Sequence, residues 1–297
     1  MRGAGFDKLK LLADVVYEPW IDQEPLKIYD GPGLAERLKE LGADIAVVEA
    51  DFVSGPVFDL PLRAIAATRG DPNNVDVEAA TAAGIPVLRT PGRNADAVAE
   101  LAVGLLLAVV RRILPADRDV RELEVFRNGT IPYQRFRGWE LGGRRAAVIG
   151  YGAVGRALHW RLAGLGMDVV LYDPYVEQAG KDLRAAVRDA DVVTLHAAVT
   201  PETVGFFGPE QFSWMRSGSV FLNTARAKLH DMAALVEALE SGRLSGAGLD
   251  HSKAKCSPPA ILSCPCQTSS LAPISAAPRP TRRPGAPKRW PTTWKRS

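Results

Sequence analysis

The hexapeptide Gly150-Tyr151-Gly152-Ala153-Val154-Gly155 follows an apolar run at 146–149 and precedes a segment of helical periodicity that reaches about Leu165. Each glycine has a mechanical task there: Gly150 permits a tight turn, Gly152 lets the backbone approach a pyrophosphate, and Gly155 lets the helix lie close to the strand before it. The helix start then offers unpaired N–H groups and the positive end of its dipole to phosphate oxygens. A second apolar run, 169–172, ends at Asp173, 18 residues beyond Gly155. A carboxylate in that place accepts hydrogen bonds from an adenosine ribose and repels a 2′-phosphate, which predicts NAD in preference to NADP. A glycine turn of purely structural origin needs none of the other parts, and here strand, turn, helix, second strand and terminal acid are all present.

Arg226 is the second candidate, placed just past an apolar run at 219–222. A guanidinium stays protonated and presents a planar fork matched to a carboxylate, and the carboxyl ends of parallel strands are where such sheets bind ligands. A lone arginine after a strand more often pairs with a surface acid. Short-chain dehydrogenase chemistry requires a Tyr-x-x-x-Lys pair, and no tyrosine here has a lysine four residues on.

The elements that must position these residues alternate. Leu34, Leu38 and Leu41 recur at helical spacing, and strands are expected at 44–48, 62–68, 85–88, 146–149, 169–172, 192–195, 219–222 and 247–249. Helices are expected at 76–83, from an Asn94 cap to about Arg112, and at 116–127, followed by a loop at 130–143. Strands this apolar argue for two parallel sheets, each covered by helices on both faces.

Charge divides the chain as well. Of 37 basic side chains nine lie in residues 251–297, which carry no Asp or Glu; residues 1–250 hold 28 basic against 34 acidic groups, a net −6. The same tail holds nine of the 22 prolines and all three cysteines, Cys256, Cys264 and Cys266. A cysteine-free body fits a reducing cytoplasm, and the tail reads as a disordered Pro/Ser/Arg segment with no folded platform for nucleic acid. Cys-Pro-Cys is too tight for the usual gap between zinc ligands, so no metal is expected. The longest apolar stretch, 101–110, is about half a bilayer span, so no membrane partner is expected.

Further motifs surround the glycine loop. Arg69-Gly70-Asp71-Pro72-Asn73-Asn74-Val75-Asp76, Gly84-Ile85-Pro86-Val87 and Thr90-Pro91-Gly92-Arg93-Asn94-Ala95-Asp96-Ala97-Val98-Ala99-Glu100 precede it. Leu195-His196, Thr200-Pro201-Glu202-Thr203, Asn223-Thr224-Ala225-Arg226 and Gly248-Leu249-Asp250 follow it. In this order and spacing, over residues 26–250, the chain resembles the D-isomer-specific 2-hydroxyacid dehydrogenases, the family that includes phosphoglycerate dehydrogenase. The resemblance implies two Rossmann-like domains with NAD in the cleft between them, a homodimer formed mostly by the second domain, and reversible hydride transfer between a small 2-hydroxy acid and a 2-keto acid. It implies a substrate-binding domain at 1–96, an NAD-binding domain at 97–250, and a tail from 251 that departs from the family. Carried over residue by residue, Arg226 holds the substrate carboxylate and carbonyl. Arg69, Gly70, Asn73 and Asn74 form a turn whose N–H groups meet the same carboxylate. Tyr151 to Arg156, with Ala153 and Val154 between, wrap the pyrophosphate. His196, Ala197 and Thr203 line the adenosine side, Thr224 and Ala225 face the cofactor, and Asp250 meets the nicotinamide carboxamide. Ala198 replaces the family's usual proline.

Two residues of the family's site are absent. Members carry a glutamate five residues after the Asp250 position and a histidine about twenty residues later, the histidine being the general acid/base and the glutamate its orienting partner. Here Lys255 takes the first place, and no histidine follows His251. His159 lies in the helix after the glycine loop, and His230 reads as a surface or helix-start residue. Ser252-Lys253-Ala254-Lys255-Cys256 can be spelled TCC AAG GCG AAG TGC, and one T added in front makes the same bases read Phe-Gln-Gly-Glu-Val. In that frame the codons of residues 271–277 give Gly-Pro-His-Ile-Gly-Gly, and those of 285–296 give an acidic helix-like segment. A single-base deletion near codon 252 is therefore expected, leaving a dehydrogenase without its proton donor; the alternative is a non-catalytic NAD-binding protein that acts through a partner.

Overall fold

A computed structural model describes residues 4–250 and the backbone of 261–263. The expected tail, with its cysteines and basic side chains, otherwise lies outside the described residues. The described residues divide into two units, one at 4–19 and the other from residue 20 on. The described part of the first is helix α1 (Ala4–Leu12) and the segment after it, where the Phe6 ring lies 4.8 Å from that of Tyr17.

The larger unit begins with α2 (Gly31–Leu41), started by the Asp30 carboxylate accepting from the Gly33 N–H at 2.9 Å and stopped by Gly42 at φ 58°. Its leucines at 34 and 38 turn inward as the spacing predicts, whereas Leu41 stays exposed. Strands β1 (Ile45–Val48), β2 (Ala64–Ala67) and β3 (Val87–Arg89) form a parallel three-stranded sheet in that order, with α3 (Val77–Ala82) between the last two. β3 starts later than the apolar run because Pro86 has no N–H to donate. Its carbonyl still accepts from Ile65 at 3.0 Å.

Helix α4 (Ala95–Val110) is the expected long apolar helix, but Asn94 does not cap it. At φ −108° and ψ 17° its backbone lies outside the extended conformation a capping side chain needs. Arg112, at φ 54°, breaks the chain, and α5 (Ile113–Arg121) starts at once, three residues earlier than expected. It ends six residues earlier too, because Leu123 turns left-handed at φ 57° and Glu124 donates back to the Asp119 carbonyl. The expected loop contains one short helix, α6 (Pro132–Arg135).

From there strand and helix alternate: β4 (Arg145–Ile149), α7 (Ala153–Gly164), β5 (Asp168–Tyr172), α8 (Leu183–Val187), β6 (Val192–Leu195), α9 (Pro209–Trp214), β7 (Ser219–Asn223), α10 (Met232–Glu240), β8 (Leu244–Leu249) and β9 (Ile261–Ser263). The six strands pair in parallel in the order β5-β4-β6-β7-β8-β9. Side chains alternate between two cores. Ala146 and Val148 of β4 pack with α4 and α7 on one face, while Ala147 and Ile149 pack with α8, α9 and α10 on the other. Gly248 is where α4 closes on the sheet, for a Cβ there would stand 2.7 Å from the Leu222 side chain and 3.0 Å from the Leu105 Cβ.

The three-stranded sheet corrects one expectation. Ala46, Val48, Ile65 and Ala67 are buried with α2, but Ile45 and Val47 point the other way and are 45% and 43% exposed, so among the described residues this sheet is covered on one face only.

Candidate functional site

The glycine turn sits at the carboxyl end of β4 and at the start of α7, and its three glycines do three different jobs. Gly150 has φ 98°, and a Cβ there would lie 2.6 Å from the Ala197 nitrogen and the His196 carbonyl carbon. Only glycine fits between those backbones. Gly155 is buried against the Gly150 carbonyl, close enough that any side chain would displace the helix. Gly152 is exposed, and a Cβ added to it meets nothing within 4 Å. Ala153, Val154 and Arg156 follow in the first turn of α7, with Ala153 and Arg156 exposed and the Arg156 guanidinium 5.3 Å from the Tyr151 ring. The Tyr151 hydroxyl reaches His159 Nδ1 at 2.9 Å, so that histidine braces the turn.

Asp173 stands just past β5 beside this turn. Its Oδ2 accepts from the Tyr151 N–H at 2.8 Å and its Oδ1 from the Tyr175 N–H at 2.9 Å. The carboxylate therefore holds the glycine turn itself, and each oxygen keeps a lone pair for a further donor.

His196 and Ala197 form the floor beneath Gly150. His196 Nε2 is 2.8 Å from the Thr194 hydroxyl, and burial pushes the imidazole pKa down to about 4, so the ring is neutral at physiological pH. Thr203 is committed to its own loop: its hydroxyl donates to the Ala198 carbonyl at 2.7 Å and accepts from the Thr200 N–H at 2.7 Å.

Past β7, Asn223 governs the placement of Arg226. Its Oδ1 accepts from the Ala225 N–H at 3.0 Å, and its Nδ2 donates to the Arg226 carbonyl at 2.9 Å. The same Nδ2 lies 2.9 Å from His230 Nδ1. His230 is thus no surface residue: it is 5% exposed, edge-on to Phe221, with its pKa pushed down to about 4 by burial against a weaker opposing pull from Asp231. It does stand just before the Asp231 cap of α10, so the helix-start expectation holds. Thr224 is buried, and its hydroxyl has no hydrogen bond among the described residues. Asp250 is buried at the end of β8, with its N–H donating to the Asn223 carbonyl at 3.1 Å.

The turn at 69–74 follows β2. Asn74 is buried and donates to the Asp51 carbonyl at 2.8 Å, fixing the turn, while the N–H groups of Gly70 and Asn73 have no acceptor among the described residues. Arg69 donates from Nε to the Glu49 carbonyl at 2.5 Å and from Nη1 to Asn73 Oδ1 at 3.3 Å. Burial pushes its pKa below the ordinary arginine value; Glu49 opposes that shift, Arg226 and Arg93 add to it, and Asp71 opposes it. Arg69 and Arg226, from different sheets, therefore share one electrostatic neighbourhood. The link is short: Gly70 packs on the Pro91 backbone, and a Cβ on Gly92 would come 3.2 Å from the Ala153 Cβ of the glycine turn.

Four residues of this region are not marked by their sequence pattern. Arg93 lies in the 90–100 motif with no role implied for it, and Glu49 lies in no motif; they form an ion pair at 2.8 Å in which both side chains are mostly buried. Asn223 stands in the 223–226 motif with no role of its own there, and His230, expected at a surface or a helix start, is at the helix start but buried. The signal for Glu49 was its position, one residue past a parallel strand.

Among the described residues no helix is long and apolar enough to cross a membrane, and no group of three or more potential metal ligands is present. The turn beside Gly152 fits a dinucleotide pyrophosphate: exposed helix-start amides and open space where a Cβ would stand. The family model for the D-isomer specific 2-hydroxyacid dehydrogenase NAD binding domain matches residues 103–270. The protein YoaD of Bacillus subtilis (strain 168) is 34% identical over 247 residues, 81% of this chain and 71% of its own. D-3-phosphoglycerate dehydrogenase of Archaeoglobus fulgidus is 40% identical over 186 residues, 60% of this chain and 34% of that one, so the chain spans about a third of that longer relative. Among solved structures, D-lactate dehydrogenase of Escherichia coli superimposes with a TM-score of 0.66 at 28% identity, covering 79% of this chain and 80% of that one. The chain belongs to the D-isomer-specific 2-hydroxyacid dehydrogenases, a family of oxidoreductases, and its cofactor is NAD.

Proposed function

We propose that this chain is built to interconvert a small 2-hydroxy acid and its 2-keto acid, with Arg226 and the 69–74 turn holding the substrate carboxylate. The observation that carries this is that Arg69 and Arg226 lie within electrostatic reach of each other near the glycine turn: the Arg226 charge adds to the burial that lowers the Arg69 pKa, and an anion between the two guanidiniums offsets that repulsion. NAD supplies or accepts the hydride when bound. The chain's own contribution is to fix the acid through a bidentate guanidinium, to donate from the Gly70 and Asn73 amides, and to hold the Thr224–Arg226 turn rigid through Asn223. Residues 1–96 supply the substrate side, and residues 97–250 supply the cofactor side, with the pyrophosphate at 150–156, Asp173 at the ribose, His196, Ala197 and Thr203 beside the adenosine, and Thr224, Ala225 and Asp250 toward the nicotinamide.

The chain as translated is impaired, because reduction of a 2-keto acid needs a proton delivered to the carbonyl oxygen. His196 and His230 are held neutral by burial, and no carboxylic side chain follows Asp250. A base lost near codon 252 accounts for the missing glutamate and histidine together. The half-covered three-stranded sheet is consistent with this, since the lost frame also encoded a C-terminal helix. The protein works in the cytoplasm as a homodimer; the second point is supported by exposed apolar side chains between residues 113 and 133, including Ile113, Leu114, Val120, Leu123, Phe126 and Tyr133.

The test is to express this gene and a version with one base inserted before codon 252, and to follow NADH oxidation with a panel of 2-keto acids. The repaired protein is expected to reduce at least one acid at a rate at least about 100-fold above the unrepaired chain, the lower end of what general acid–base catalysis contributes. A repaired protein that folds and binds NADH but reduces none favours a non-catalytic NAD-binding protein acting through a partner.

A further inference from the structure

Glu49 is a carboxylate placed where an acid substrate is to be held. It follows β1 directly, and β1 lies beside β2 in parallel register, so Glu49 and Arg69 emerge together at the carboxyl edge of the sheet. Arg69 bonds the Glu49 carbonyl at 2.5 Å, which fixes the glutamate backbone to the turn at 69–74. Both oxygens of the side chain are engaged: Oε1 accepts from Arg93 at 2.8 Å, and Oε2 accepts from the Trp20 indole N–H at 3.4 Å. With side-chain exposures of 24% for Glu49 and 28% for Arg93, the pair is fixed and reached from one side only.

Charge around this point is nearly balanced. Arg69, Arg93 and Arg226 are positive, Glu49 and Asp71 negative, and all act on one another through Arg69. The surplus is a single positive charge, which matches one carboxylate. A second anionic group on the substrate finds its nearest spare guanidinium, Arg93, already neutralised, and meets the field of a fixed carboxylate.

We propose that Glu49 sets the charge of the substrate at this site, admitting 2-keto acids with one negative charge and discriminating against those that carry a second carboxylate or a phosphate. This rests on the assignment of Arg226 and the 69–74 turn as the holders of the substrate carboxylate. Like charges several ångströms apart in a partly solvated cleft weaken binding by about tenfold. Replacing Glu49 by glutamine removes the repulsion and releases Arg93, so the penalty should vanish through tighter binding of the dianion, while the glutamine oxygen still accepts from Trp20.

The experiment is calorimetric titration of the full chain, saturated with NADH, by 2-oxopentanoate and by 2-oxoglutarate, which share a five-carbon chain and differ in a terminal carboxylate. The unaltered chain should bind 2-oxopentanoate at least about tenfold more tightly. Glu49→Gln should bring the two within about threefold, and Glu49→Asp, which keeps the charge, should preserve most of the preference. Equal binding by the unaltered chain, or a preference unchanged in Glu49→Gln, overturns the role of Glu49 and leaves the Arg226 assignment standing. Binding of neither acid, with NADH still bound, overturns both.

Discussion

The two sheets of the larger unit are made of the same kind of sequence and meet different fates. In the six-stranded sheet every residue of β6 and β7 is buried, because α4 and α7 cover one face and α8, α9 and α10 the other. In the three-stranded sheet β1 alternates, with Ala46 and Val48 inside and Ile45 and Val47 half in water. The strands of the smaller sheet are if anything the more apolar; what they lack among the described residues is helices to cover a second face. Each apolar side chain left wet forgoes about 1.5–3 kcal/mol, so the half that carries the three-stranded sheet is the weaker one. The polar anchors of the six-stranded half are well formed, with Asp173 holding the glycine turn and Asn223 holding the turn after β7.

The largest effect should separate the two cores directly. Leu195→Ala, in the core of the six-stranded sheet, should cost about 2–5 kcal/mol in denaturant unfolding, while Ile45→Ala should cost less than about 1 kcal/mol. Equal losses would mean that the exposed face of the three-stranded sheet is covered in solution.

Acid should also act on one half. His196 and His230 both belong to the six-stranded half, and their pKa values of about 4 lie below the unfolded value of 6.5. Their unfolded forms take up protons first, so the stability they confer is complete above pH 6.5 and is lost as pH falls toward 4. The loss should reach up to about 3 kcal/mol for buried His230 and less for half-buried His196. A melting temperature that does not fall between pH 7 and pH 4.5, or falls equally in His230→Leu, would contradict this.

In the repaired protein Arg226→Ala should lower kcat/KM about 100-fold or more and change NADH affinity less than about threefold, as the proposed role of the guanidinium in holding the substrate requires. A matched loss of NADH affinity would move Arg226 to the cofactor.

The smallest effect concerns Asp173. NAD should bind at least about tenfold more tightly than NADP, and Asp173→Asn should narrow the gap. Because Asp173 also holds the Tyr151 amide, some affinity for both cofactors should fall. No preference in the unaltered chain would remove Asp173 from the ribose.

Much of this was legible in the sequence. The strands were placed because apolar runs bounded by glycine and aspartate read the same locally as in the fold, and the glycine turn because each glycine answers a separate steric demand. Three kinds of feature were not legible. The left-handed Arg112 and Leu123 reset element ends through backbone geometry that residue type does not announce. His230 is polar by type but buried where the chain folds back on the preceding strand, against Phe221 and Asn223. The Glu49–Arg93 pair joins residues 44 positions apart, which no local pattern can reveal.

We propose a chain that binds NADH and lacks the proton donor its chemistry needs. Titration of the full chain, its mass verified to Ser297, with NADH by fluorescence, followed by addition of 2-keto acids to the same cuvette, tests both parts at once. Saturable binding of one NADH per chain with no oxidation above the buffer rate is the predicted result; failure to bind NADH, or sustained oxidation by the unrepaired chain, would contradict it.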